Sequence, residues 1–252
     1  MLSEETKQII ADSKNIYIIP QEELEGLVCA LALFYTLKEL NKNVNLIIGE
    51  LPENLKFLAP SLDFISYPKN FVISVPNRIA DISQIYYERN DNNLKIHLTL
   101  EKGIIKKDDV SFYFSEAKPD IIITLGIKDY QSQLKDRLNP FGFLLDSPIL
   151  NIDTQNSDPT DGQGLPGQTD NKNFGKINLL DNRSLAEIVL DLIKNINNGP
   201  IKKESANCLL AGLVIYTENF KNSEITADIF ESAGNLMRQG ASLKEITDNI
   251  YK

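Results

Sequence analysis

Histidine is almost missing from this chain. His97 stands alone among 252 residues, beside two cysteines (Cys29 and Cys208), two methionines and no tryptophan. One imidazole excludes a three-histidine zinc site or a Cys₂His₂ site built within a single chain. A nucleophilic triad that relies on histidine would have to recruit His97. The two thiols lie far apart in apolar helical patterns, which reads as two buried free cysteines rather than a disulfide. No run of about 18 uncharged apolar residues occurs, so no membrane span is expected. Basic residues are the minority, 26 Lys and Arg against 35 Asp and Glu, for a net charge of −9. Such a surface repels phosphate backbones, so long nucleic acid is not an expected partner, although a local basic groove stays open. The start, Met1-Leu-Ser-Glu-Glu-Thr-Lys7, has neither the basic residues nor the apolar core of a secretory signal. The expected location is therefore the cytoplasm.

What is present is the composition of an ordinary folded domain, 42% apolar with 13 glycines and 11 prolines. Ser3 is placed to cap a short helix through Asp12. Asn15 to Ile19 is an apolar strand closed by Pro20. From Glu22 to Leu40 apolar residues fall at 24, 27, 28, 31, 34, 35, 37 and 40, the period of a helix. Asn43 to Ile48 reads as a second buried strand, and strand–helix–strand favours a parallel sheet. Phe71 to Val75 is strand-like. Ile82 to Glu88 and Leu94 to Leu100 flank the turn Asn90-Asp-Asn-Asn93, a β-hairpin signal that puts His97 on a solvent-facing strand position. Ser111 to Phe114 adds an edge. Two more strands, Asp120 to Leu125 and Pro148 to Ile152, bracket a helix near Gln131 to Leu138.

The stretch from Asp153 to Gly175 is poor in apolar residues and rich in turn formers, so a mobile loop is expected over about 154–174. Its Asp161-Gly-Gln-Gly-Leu-Pro-Gly167 lacks the Lys-Ser/Thr ending of a phosphate-binding P-loop. A strand at Ile177 to Leu180 and helices at Ser184 to Asn197, Ile201 to Phe220, Thr226 to Gln239 and Ser242 to Tyr251 complete the chain. The expected fold is α/β: a largely parallel sheet flanked by helices, with an inserted hairpin over about 64–116 and an α-helical C-terminal end, all in one domain spanning 1–252. Ligands in such folds bind at the carboxyl ends of the strands, here Ile19-Pro20, Leu125-Gly126 and Ile152-Asp153.

Those strand ends carry a resemblance. Asn15-Ile-Tyr-Ile-Ile-Pro-Gln-Glu-Glu-Leu-Glu-Gly26, and the small-residue helix start after it, resemble the first motif of the DHH phosphoesterase superfamily, in its RecJ-like and nanoRNase–pAp phosphatase branch. In that motif a strand leads to His-x-x-x-Asp-x-Asp. Ile149-Leu-Asn-Ile-Asp-Thr-Gln155 falls where the name-giving Asp-His-His would follow a strand. Phe174 to Asp181 with Ser184 to Val189, Ala206 to Phe220, and the tail around Ala233 and Gly240 are similar to later parts of the family, so the likeness runs from about residue 10 to 252.

The resemblance implies a pair of divalent metals, usually manganese, that activate water against a phosphoester. Each ligand position can be matched. The motif histidine falls on Ile19 or Pro20, and its two aspartates fall on Glu23 and Glu25. A lone aspartate falls on Gly126. Asp-His-His becomes Asp153-Thr154-Gln155, and the last aspartate falls on Tyr216. With the imidazoles and most carboxylates replaced, the expectation is a vestigial cleft without catalytic residues or cofactor, in a catalytically silent protein that binds or assembles. The family's usual second domain is also expected to be lacking from this chain. Protein partners, a homodimer or a small nucleotide are the partners that fit. Two alternatives stay open. One is an active phosphoesterase on short oligonucleotides or pAp, with Mn²⁺ or Mg²⁺ held by Glu23, Glu25 and Asp153, aided by Asp129 or Glu218. The other is a sensor that binds a nucleotide without hydrolysing it.

Overall fold

A computed structural model describes residues 3–59, 69–116, 118–129, 133–134, 147–155 and 173–251. It divides into two compact units, Met1–Tyr67 with Lys118–Lys252, and Pro68–Ala117. Most of the expected helix near Gln131 to Leu138 and most of the expected loop over 154–174 lie outside the described residues.

The first unit is built on a five-stranded parallel sheet whose spatial order, edge to edge, is Asn43–Leu46, Asn15–Pro20, Ile121–Leu125, Ile149–Thr154 and Ile177–Asp181. Its strands are β1 (Asn15–Pro20), β2 (Asn43–Leu46), β7 (Ile121–Leu125), β8 (Ile149–Thr154) and β9 (Ile177–Asp181). β1 and β7 are apolar almost without alternation because both of their faces are covered. Asn43 to Ile48 departs from the expectation: the strand stops at Leu46 and forms an edge, with only Val44 and Asn45 buried.

Helix α2 (Leu24–Glu39) follows β1 and is the centre of the core. Eleven of its 16 residues are buried, because it is packed against the sheet and against α3 (Leu185–Ile196) and α4 (Lys203–Tyr216). A helix buried on most sides shows little polar face, which is why Leu27 through Phe34 runs without a charge. Gly212 of α4 lets these helices close up: a Cβ there would stand 2.8 Å from the Ala186 Cβ of α3. Ile16, Ile18, Ile121, Ile123, Leu150 and Ile152 face this helical layer. On the other face Tyr17, Ile19 and Ile122 pack with Ile127 and Leu134. There Thr124 Oγ1 donates to Asn151 Oδ1 at 2.7 Å, joining two buried polar side chains across the strands.

Capping accounts for several boundaries. Ser3 accepts from the Thr6 N–H at the start of α1 (Glu4–Asp12). Thr226 and Ser242 do the same for α5 (Ala227–Arg238) and α6 (Leu243–Ile250). Helix α4 ends at Tyr216, four residues before the periodicity suggests. Thr217 Oγ1 donates to the Leu213 carbonyl and accepts from the Phe220 N–H, and Glu218, Asn219 and Phe220 take φ of +50°, +62° and +57°. A run of left-handed residues cannot continue a right-handed helix. No helix among the described residues is long and apolar enough to cross a membrane.

The second unit holds two antiparallel pairs. β3 (Lys69–Ser74) pairs with β6 (Ser111–Glu116), and β4 (Ala80–Arg89) pairs with β5 (Leu94–Gly103). Asn90 Oδ1 accepts from the Asn92 and Asn93 N–H groups and fixes the turn of the second hairpin. His97 is 34% exposed rather than open to water, because its ring stacks on Tyr86 at 4.5 Å.

Candidate functional site

The chain leaves β1 toward β2 on one side and returns to β7 on the other, so the strand order reverses between β1 and β7. That reversal opens a crevice at the carboxyl ends of the two strands. Backbone bonds carry the sheet one step past its strands here. The Gln21 N–H donates to the Leu125 carbonyl at 2.8 Å, Gly126 N–H to Ile152 at 2.9 Å, and Gln155 N–H to Asp181 at 2.7 Å. Pro20, which has no N–H to give, is tolerated at the last position of β1.

The Gln21 side chain enters this crevice. Gln21 lays its side chain across two glycines: a Cβ on Gly126 would meet Gln21 Cδ at 2.7 Å and Nε2 at 2.8 Å, and a Cβ on Gly26 would meet Gln21 Cγ at 2.7 Å. Gly126 also takes φ of +68°, so a side chain is disfavoured there on backbone grounds as well. Gln21 Nε2 donates to Glu23 Oε2 at 3.3 Å. Glu23 itself is exposed at the N-cap position of α2, with no side-chain cap bond.

Glu25 sits one turn inside. It is half-buried, and its Oε1 accepts from the Ala186 N–H at 3.1 Å. Ala186 is the second residue of α3, whose first N–H groups have no partner within their own helix. Ser184 and Glu187 form a capping box at the same helix end, with Ser184 Oγ donating to Glu187 Oε2 at 2.7 Å. Burial pushes the Glu25 carboxyl up to about 7; the Ala186 and Leu185 N–H groups pull it down, while Glu23 and Glu187 push it further up. A carboxyl in that range can give or take a proton at neutral pH, but it is turned toward the amides of α3.

Tyr216 closes α4, half-buried. Its phenol is pushed up by burial first, then by the negative charges of Glu224, Glu25 and Glu187. Asp153 is buried at 2% exposure inside β8, with Oδ1 accepting from the Thr154 N–H at 2.7 Å. Thr154 ends that strand half-buried, and Gln155 is exposed just beyond it.

The structure therefore brings Glu23, Glu25 and Tyr216 into one electrostatic neighbourhood on the helical side of the sheet end. Two residues of the neighbourhood escaped the sequence reading. Glu187 could have been found, since Ser184-x-x-Glu187 is the capping-box pattern. Gln21 could not, because its room depends on Gly26 and Gly126, a hundred residues apart in sequence.

A pair of manganese or magnesium ions needs several imidazole or carboxylate donors converging on each ion. Among the described residues no group of three His, Cys, Asp or Glu side chains could hold a metal ion. Pro20, Gly126, Thr154 and Gln155 stand at strand ends without an anionic donor, and Glu25 is engaged by a helix end. These residues do not fit a two-metal centre.

No model of a known protein family matches the chain, and no curated protein matches it. Among solved structures it is similar to an exopolyphosphatase-related protein from Bacteroides fragilis, at 17% identity and a TM-score of 0.63. The match covers 98% of this chain but 59% of that one, so the chain spans little more than half the neighbour's length. The two share a mixed α/β fold with a mostly parallel sheet flanked by helices.

Proposed function

We propose that this chain is a DHH phosphoesterase-like protein that no longer hydrolyses, and that it acts in binding or assembly. The observation that carries the reading is the fate of Glu25. The carboxylate that matches the second motif aspartate is used as an acceptor for the first amides of α3. The Gln21 side chain supports the same reading, since it lies over Gly126 where a phosphate would approach the backbone at the strand reversal. With such occupants a metal-bound hydroxide in line with a scissile bond has no donor set to hold it.

The likeness to an exopolyphosphatase-related protein favours the competing reading, retained hydrolysis, and adds polyphosphate to the substrates worth testing. Purified full chain is incubated with manganese and, in turn, a chromogenic phosphodiester, pAp, short oligoribonucleotides and inorganic polyphosphate. No turnover above the protein-free control is expected, and no heat of manganese binding by calorimetry. Turnover that Glu25→Gln or Asp153→Asn abolishes would overturn the reading.

A further inference from the structure

The β4–β5 hairpin gathers large apolar side chains in the open. Ile85 is 70% exposed, Tyr87 74%, Leu94 62% and Ile96 49%. They share one face, because the antiparallel register sets Tyr87 opposite Ile96 and Ile85 opposite Leu98. Arg89 and the edge of Tyr86 complete the rim of a shallow apolar hollow on this face. An isolated two-stranded ribbon is marginal in water, and an exposed edge strand of ten residues with Leu94, Ile96, Leu98 and Leu100 on one face is a template for another strand.

We propose that the partner of this edge is a second copy of the chain. Two β5 strands pair antiparallel about a two-fold axis through Leu98 and join the hairpins into a four-stranded sheet. This rests on the assembly half of the function proposed above, not on the loss of hydrolysis.

Three observations select a second copy and this register. First, among the described residues the edge is open. The Asn90 N–H donates to the Asn93 carbonyl, so by antiparallel alternation Ile85/Leu98, Tyr87/Ile96 and Arg89/Leu94 are the non-bonded pairs. Leu94, Ile96 and Leu98 then direct their N–H and C=O groups away from β4, and among the described residues β5 has no strand on that side. Second, the sequence of β5 is complementary to itself. With Leu98 opposite Leu98, Ile96 meets Leu100, His97 meets Thr99, and Lys95 meets Glu101 at both ends. A slip by two residues sets Lys95 against Thr99 or Gly103 instead. A slip by one puts the apolar face of one copy on the reverse of the other's. Third, the charge permits it. Two chains of −9 repel, but the hairpin from Ala80 to Gly103 carries four acidic and three basic residues and is a near-neutral surface on which copies can meet. An isologous contact of this kind closes at two copies.

Sedimentation of the full chain across a dilution series is expected to show a reversible monomer–dimer equilibrium. Leu98→Lys, which sets two ammonium groups against each other on the axis, is expected to raise the dissociation constant about tenfold or more. Lys95→Glu and Glu101→Lys should each weaken pairing, and the double swap should restore it in part, because Lys95 also lies 3.7 Å from Glu88 of its own hairpin. Leu98→Cys should cross-link to its own copy on mild oxidation while Leu94→Cys does not. The native thiols are buried and do not interfere. Circular dichroism verifies that each variant folds. A chain that stays monomeric throughout, a dimer indifferent to Leu98→Lys and the charge swap, or capture of a foreign strand by a monomer would each overturn the proposal. None of these outcomes depends on whether the sheet end turns over a phosphoester, so the two proposals fail separately.

Discussion

Helix α2 and the β4–β5 hairpin are both rich in apolar residues, yet they meet opposite fates. Eleven of 16 residues of α2 are buried; of the twenty in β4 and β5, Ala80 alone is. The difference lies in what the chain supplies around each. α2 has a sheet on one side and two helices on the other, whereas the described residues put nothing across the hairpin's apolar face. Apolar content therefore marks surface that wants cover, and only the rest of the fold decides whether the cover comes from the same chain.

The comparison predicts its largest effect in α2. Leu31 is fully buried, so Leu31→Ala loses the transfer energy of its side chain and leaves a cavity, at about 2–5 kcal/mol. Urea unfolding followed by helical circular dichroism measures it, and a cost below about 1 kcal/mol would mean that α2 is not the centre of the core. Gly212→Ala should come next. Alanine favours a helix by about 1 kcal/mol over glycine, but its methyl would have to displace the Ala186 Cβ at 2.8 Å. Overpacking costs about 1–3 kcal/mol, so a net loss near 1 kcal/mol is expected, and a net gain would show that α3 and α4 can part freely.

Much of this scaffold was legible in the residues. The alternation of short apolar runs with helical periods gives all five parallel strands, and Ser3, Ser184, Thr226 and Ser242 mark four helix starts within a residue. What stayed hidden depends on space rather than pattern. The end of α4 is set by Thr217 bonding back into the helix, which periodicity does not register. The candidate site was legible as a row of strand ends but not in its internal arrangement. Glu25 looks, in sequence, like any acidic residue in a first turn; its engagement with α3 arises because residues 25 and 186 meet through tertiary packing. The placing of Gln21 across two distant glycines is of the same kind.

Glu25 sharpens the comparison through pH. The folded chain holds its proton more tightly than the unfolded chain, since burial raises the carboxyl from 4.5 to about 7. Stability from this group is thus greatest below about 4.5, falls as pH rises toward 7, and is level above. The undiscounted effect is on the order of 3 kcal/mol, and solvent reaching the half-buried carboxylate reduces it to about 1 kcal/mol. Glu25→Gln keeps an oxygen for the Ala186 N–H and removes the ionisation. Relative to the parent, the variant should gain about 1 kcal/mol between pH 4 and pH 8, read from urea midpoints at the two pH values. Equal differences at both would place the carboxylate in open solvent.

The smallest effect belongs to the hairpin. At 74% exposure Tyr87 has little burial to lose, and its cross-strand pairing with Ile96 is of a kind worth about 0.2–1 kcal/mol. Tyr87→Ser, studied where the chain is monomeric, should therefore cost about 0.5 kcal/mol or less and speed hydrogen exchange of the β4–β5 amides by about two- to threefold. The helical transition that reports α2 should not move. A loss comparable to that of Leu31→Ala would mean that Tyr87 is covered in the single folded chain. The hairpin would then be core rather than exposed surface, and the contrast with α2 would disappear.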